Sequence, residues 1–121
     1  MSPVVIRARA LIGVRFRAHG RDPRFGLDCV GLAGAAFGVA VPGGYALRTG
    51  DPAVVGRELA GVGLTRVAQV AAGDLLVLRT GPGQLHLAIS TGGGLIHADA
   101  RARRVVERPD VPFAILGIWR R

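Results

Sequence analysis

The order and texture of the chain predict a small α+β fold. Helix-like segments occupy the first half, and short apolar runs separated by Gly- and Pro-rich turns fill the second. Helices followed by a run of strands is the α+β pattern. At 121 residues, half of them apolar and spread throughout, the chain suffices for one core and is expected to be a single domain over 1–121.

Ser2 and Pro3 open the first helix, over VVIRARALIG, as N-cap and first helical residue. Between residues 13 and 27 the helical pattern fails, and Gly20, Asp22, Pro23 and Gly26 mark a loop. Residues 29–39, CVGLAGAAFGV, are apolar and small and read as a buried helix, followed by the loop VPGGYALRTG. Asp51-Pro52 caps another helix, running through Val55 and Leu59 to about Gly61. From there LLVL (75–78), HLAIS (86–90), LIHA (95–98), RVVER (104–108) and FAILGIW (113–119) alternate with TGPGQ, TGGG, ARA and PDVP. Such runs at hairpin spacing predict a twisted antiparallel sheet of about five strands, connected as a meander.

Composition narrows the function classes. The 16 basic residues are all Arg, set against eight acids, for a net charge of +8. That excess favours polyanionic partners, but the cations form two scattered groups, Arg7 to Arg24 and Arg101 to Arg108. A solvated basic surface explains them better than nucleic-acid recognition, because six aromatic residues in all leave few platforms for base stacking. The opening MSPVVIRARALIGVRF is interrupted by Arg7 and Arg9 before an apolar signal core forms, and no run approaches the length of a membrane span. The expectation is synthesis in the cytoplasm without a signal peptide and no membrane insertion.

Cys29 is the only cysteine and stands at a predicted helix start after a Gly-rich loop. A helix N-terminus lowers a thiol pKa and supplies N–H groups for an oxyanion, so a depressed Cys29 pKa is expected. A lone cysteine in an apolar helix is, by itself, more often an inert core residue. His86 opens one strand after a Gly/Pro turn, and His97 lies eleven residues on, across TGGG. Pairing of those strands would bring the imidazoles together as a base and its orienting group, the arrangement that activates a thiol. No close Cys/His spacing suggests zinc, no cofactor is expected, and Asp74 reads as a turn residue before its strand.

Three segments together resemble a known family. GRDPRFGLDCVGL is similar to the nucleophile segment of NlpC-type cell-wall cysteine peptidases, AAGDLLVL to their strand entry, and HLAISTGGGLIHA to their histidine block. GRDP ahead of GLDCVGL resembles most the branch found in phage tails and gene-transfer agents. The resemblance implies a papain-like fold and a Cys29–His86–His97 triad, with Asp28, His19 and Phe16 in the oxyanion or substrate vicinity. It further implies hydrolysis of peptidoglycan stem peptides, typically between D-glutamate and a diamino acid, and delivery to the wall by a phage-like tail-tip partner. Phe16 stands where many members carry Tyr, and Val30 where those reading a free amine carry Ser. An amidase or acyltransferase on the same fold, or a non-catalytic tail-tip assembly protein, are the alternatives.

Overall fold

A computed structural model of the chain describes residues 2–40 and 44–121. Helix α1 (Pro3–Arg9) begins at Ser2, whose hydroxyl accepts the Val5 N–H. A two-stranded hairpin, β1 (Arg21–Asp22) and β2 (Gly26–Leu27), leads into α2 (Cys29–Phe37). Next come α3 (Tyr45–Arg48) and α4 (Pro52–Gly61), the latter capped by the Asp51 carboxylate on the Ala53 N–H. The strands β3 (Thr65–Val67), β4 (Leu75–Gly81), β5 (Gln84–Ser90), β6 (Leu95–Asp99), β7 (Arg104–Arg108) and β8 (Ala114–Arg120) complete the chain.

Both well-marked helix starts, the helix at Cys29 and the five strand runs are where the sequence places them. Within the expected loop 13–27 the chain forms the β1–β2 hairpin, and the loop after residue 40 contains α3; positions 41–43 of that loop lie outside the described residues. The sheet has six strands in the order β3-β8-β4-β5-β6-β7, antiparallel throughout. It is not a plain meander. Beyond β7, the edge is taken by residues 13–16, through Gly13 N–H to Val105 O, Val105 N–H to Val14 O and Phe16 N–H to Arg103 O. The last strand instead crosses back and inserts between β3 and β4.

Both faces of the sheet are covered, which explains why LLVL is a continuous apolar run rather than an alternating one. Leu75, Val77, Leu87, Ile89 and Ile96 face the helices with Leu32, Ala36 and Phe37. Leu76, Leu78, Ala88 and Leu95 face the other way, under Val111, Phe113 and Ile118. At the C-terminal end of α2, Gly38 takes the left-handed conformation (φ 68°), while Arg7 and Arg121 donate to the Ala36 and Phe37 carbonyls. Cations at that end complement the helix dipole.

Candidate active site

The start of α2 is held from three sides. Asp28 Oδ1 accepts the Gly31 N–H (2.8 Å) and an Arg21 guanidinium N–H (2.7 Å), and Oδ2 accepts the His19 N–H (3.0 Å). The loop can sit this close because position 31 has no side chain: a Cβ there would collide with the Gly20 carbonyl oxygen. The Gly31 N–H is taken by the Asp28 side chain and the Leu32 N–H by the Asp28 carbonyl. Of the first-turn donors, those of Cys29 and Val30 remain, and the Val30 amide points at the Cys29 sulfur.

Strands β5 and β6 pair only at Ile89–Ile96 and Ser90–Leu95. Beyond those pairs the ladder ends, and α2 contacts both strands. The Leu87 backbone N–H thereby faces the Cys29 sulfur. On the same two strands, outside the ladder, His86 Nε2 and His97 Nδ1 are 2.9 Å apart, with the rings edge to face at a 5.1 Å centroid distance. His97 is buried and packs on Phe113. Its other nitrogen, Nε2, is 3.9 Å from Asp99 Oδ2, and Asp99 is fixed in turn by the Arg101 and Ala102 amides.

Cys29, His86 and His97 line one cleft of about 710 Å³, together with Phe16, Asp99 and Arg108. The interior position dominates their electrostatics. Burial pushes the Cys29 thiol up to about 11; the Leu87 amide and, more weakly, Arg21 and the Val30 amide oppose this, while the Asp28 charge adds to it. Burial and then the neighbouring His97 bring His86 down to about 4, against the pull of Asp99 and Asp28. His97 is lowered too, by burial and by Arg108, with Asp99 opposing. The depressed thiol pKa expected from the helix start is thus not what the site provides. Desolvation outweighs the helix terminus, and at neutral pH thiol and imidazoles are uncharged. In such a site a proton moving from sulfur to ring creates two charges that stabilise each other, which desolvation of either alone opposes.

The other expected residues fall differently. Phe16 lines the cleft. Asp28 sits beneath it as the helix cap. His19 is exposed at φ 61° and contributes its backbone N–H to Asp28, while its imidazole is not among the groups lining the cleft. Asp99 and Arg108 were not singled out from the sequence. Asp99 had a signal, since it lies two residues after His97 on a strand and so shares its face. Arg108 had none without the β6–β7 register that sets it opposite Leu95. Among the described residues, no three His, Cys, Asp or Glu side chains are grouped to hold a metal ion, and no helix is long and apolar enough to cross a membrane.

No family model matches the sequence, and no curated protein is significantly similar to it. Solved structures do match. The NlpC/p60 domain of the peptidoglycan hydrolase SagA is 28% identical at a TM-score of 0.70, over 98% of this chain and 97% of that one. The peptidoglycan hydrolase RipB from Mycobacterium tuberculosis is 24% identical at 0.64, and the match spans 98% of this chain but only 62% of RipB. The P60 domain of an antigen from M. avium subspecies paratuberculosis is 22% identical at 0.64, over 98% and 91% of the two chains. The chain therefore has the NlpC/p60 peptidoglycan-hydrolase fold, with its N-terminal helices packed on a six-stranded antiparallel sheet.

Proposed function

We propose that this chain is a cysteine peptidase that hydrolyses peptidoglycan stem peptides, with Cys29 as nucleophile, His86 as base and His97 as the group that orients it. The observation that carries this reading is that the sole thiol, at the first position of α2, and a 2.9 Å imidazole pair line one cleft. The fold shared with peptidoglycan hydrolases supports the substrate class.

The proton positions follow from Asp99. Its carboxylate, 3.9 Å from His97 Nε2, favours the tautomer with hydrogen on that nitrogen. His97 Nδ1 then holds a lone pair and accepts the His86 Nε2–H across 2.9 Å. His86 Nδ1 is left as the free base of the ring. As the Cys29 sulfur bonds to the substrate carbonyl carbon, the thiol proton passes to His86 Nδ1. The oxyanion is received by the Cys29 backbone N–H and the positive end of α2. Collapse breaks the C–N bond, His86 returns the proton to the leaving amine, and a thioester remains. Water then attacks with His86 as base, the C–S bond breaks, and the thiol is restored.

The bond cleaved is that between D-glutamate and the diamino acid, and the protein reaches the wall as part of a phage-like particle, held by a tail-tip partner. The motifs HLAISTGGGLIHA and GRDPRFGLDCVGL support these two points through their resemblance to that branch of peptidases. Digestion of purified sacculi with wild type and Cys29→Ala, with fragments identified by mass, tests the proposal. Release of fragments ending in D-glutamate by wild type alone is expected. Equal release by Cys29→Ala, or none by either, would overturn it.

A further inference from the structure

Among the described residues, two buried side-chain polar atoms have no hydrogen-bond partner, His97 Nε2 and Arg108 Nε. Both residues line the same cleft. His97 Nε2 at least faces Asp99. Arg108 Nε has only Asp110 Oδ1 at 3.6 Å, beyond hydrogen-bond length, and that carboxylate is 61% exposed. A charged donor taken out of water and left unpaired is unfavourable, and in a folded protein it calls for an explanation.

From these atoms, and resting on the reading of the cleft as the reaction site, we propose that Arg108 binds a carboxylate of the substrate beside the scissile bond. An arginine grips a carboxylate with two parallel N–H groups, and the pairing through Nε needs that atom free of other partners. Arg108 keeps its donors open: Nε has no hydrogen-bond partner, and 40% of the side chain is exposed. It is near the reacting groups, since its charge opposes protonation of His97. Arg101 adds a second cation to the cleft lining. Against the one acid there, Asp99, the lining sets two cations, so its net charge is positive. Thr80 and Gln84 also line the cleft and supply neutral hydrogen-bonding groups suited to a peptide.

The test compares two alkylating reagents with the same leaving group, iodoacetate and iodoacetamide, on the full chain. Cys29 is the sole cysteine, so every modification reports on this cleft. The ratio of the iodoacetate rate to the iodoacetamide rate should exceed that of N-acetylcysteinamide, a thiol without a carboxylate, by about tenfold, the lower end of what a charged cleft achieves. Arg108→Gln should bring the ratio most of the way down to the free-thiol value, with Arg101 left to account for the rest, and Arg108→Lys should leave it in between. Arg57→Gln, which removes a charge on α4 outside the cleft, should leave it unchanged. A ratio equal in wild type and Arg108→Gln overturns the proposal. A folded Cys29 closed to both reagents would instead count against the catalytic reading. The anion site is then decided by the NMR signal of Arg108 Nε–H during titration with N-acetylglycine and with N-acetylglycinamide. A saturating shift with the carboxylate alone supports the site, and no shift with either overturns it.

Discussion

His86 Nε2 and His97 Nδ1 lie 2.9 Å apart, although the strands that carry them stop pairing three residues after His86, at Ile89 and Ile96. The β5–β6 ladder ends short of both imidazoles, and α2 contacts both strands.

His97 should act through His86 and not on substrate. His97→Ala should lower kcat by about tenfold to a hundredfold with little change in KM, while His86→Ala should abolish turnover. Asp99→Asn keeps the volume but removes the charge that selects the His97 tautomer, so a smaller fall in kcat is expected. Steady-state kinetics on a soluble stem peptide distinguish these roles; a KM effect alone from His97→Ala would place it in substrate binding.

The resting thiol should be neutral. With Cys29 pushed up to about 11, alkylation by iodoacetamide should rise continuously with pH and show no plateau below the ordinary thiol value of about 8.5. Loss of the Asp28–Arg21 pair in Arg21→Gln should slow the reaction further, since the uncompensated Asp28 charge opposes thiolate formation. A titration centred near neutrality would show instead that sulfur and ring already rest as an ion pair.

Stability should fall on acidification. His86 is held at about 4 against an ordinary 6.5, so between those values the unfolded chain binds the extra proton and the folded one does not. The contribution is complete above about 6.5 and is lost as pH falls toward 4, on the order of 3 kcal/mol in all. His97 shifts in the same direction. The neighbours that face His86 are His97, Asp99 and Asp28. Denaturant unfolding across this range should show wild type losing stability relative to His86→Gln as pH falls, and parallel curves would refute the assignment.

Gly31→Ala tests how α2 is seated. A methyl at this position meets the Gly20 carbonyl oxygen, so either the helix start or the β1–β2 loop must shift. Helix propensity alone would favour Ala by about 1 kcal/mol, and the steric conflict should reverse that sign. The variant should be less stable and, per folded molecule, slower, because the shift moves Cys29 away from the Leu87 amide. A stabilised, fully active variant would show that the close approach does not position the nucleophile.

The placement of the three residues of the proposed triad was legible because each carries a local mark: Cys29 follows a Gly-rich loop at a helix start, and His86 and His97 flank a glycine turn. The helix starts at Ser2 and Asp51 were legible for the same reason, each being a capping side chain followed by Pro. What escaped depends on distant parts of the chain. The place of β8 depends on residues 13–16 covering β7, and Thr65–Val67 pairs only with β8. The thiol pKa was misread because a helix terminus is visible in sequence, whereas the crowding of the sulfur by β5 and β6 is a product of folding.

Asp74 should support the fold without taking part in the reaction. The sequence marks it only as a turn residue before a strand, and the structure gives it a larger part. It is 1% exposed, its Oδ1 and Oδ2 accept Arg120 Nε and Nη2 at 2.7 and 2.8 Å, and Oδ2 also accepts the Ala71 N–H at 2.8 Å. Its backbone carbonyl takes the Ser90 N–H, so one residue ties β4, β5, β8 and the preceding turn together. None of these bonds reaches the cleft. Asp74→Asn replaces one oxygen by an amide group that must point a donor at Arg120 or at the Ala71 N–H, leaving a buried mismatch. A fall in Tm of roughly 5 °C or more is expected. Arg120→Gln should be destabilising as well, and the double variant should lose less than the sum of the two single losses, since each already breaks the same pair. Turnover per folded molecule should stay within about threefold of wild type, because Cys29, His86 and His97 keep their positions. A variant that melts like wild type yet turns over about a thousandfold more slowly would place Asp74 in the chemistry instead.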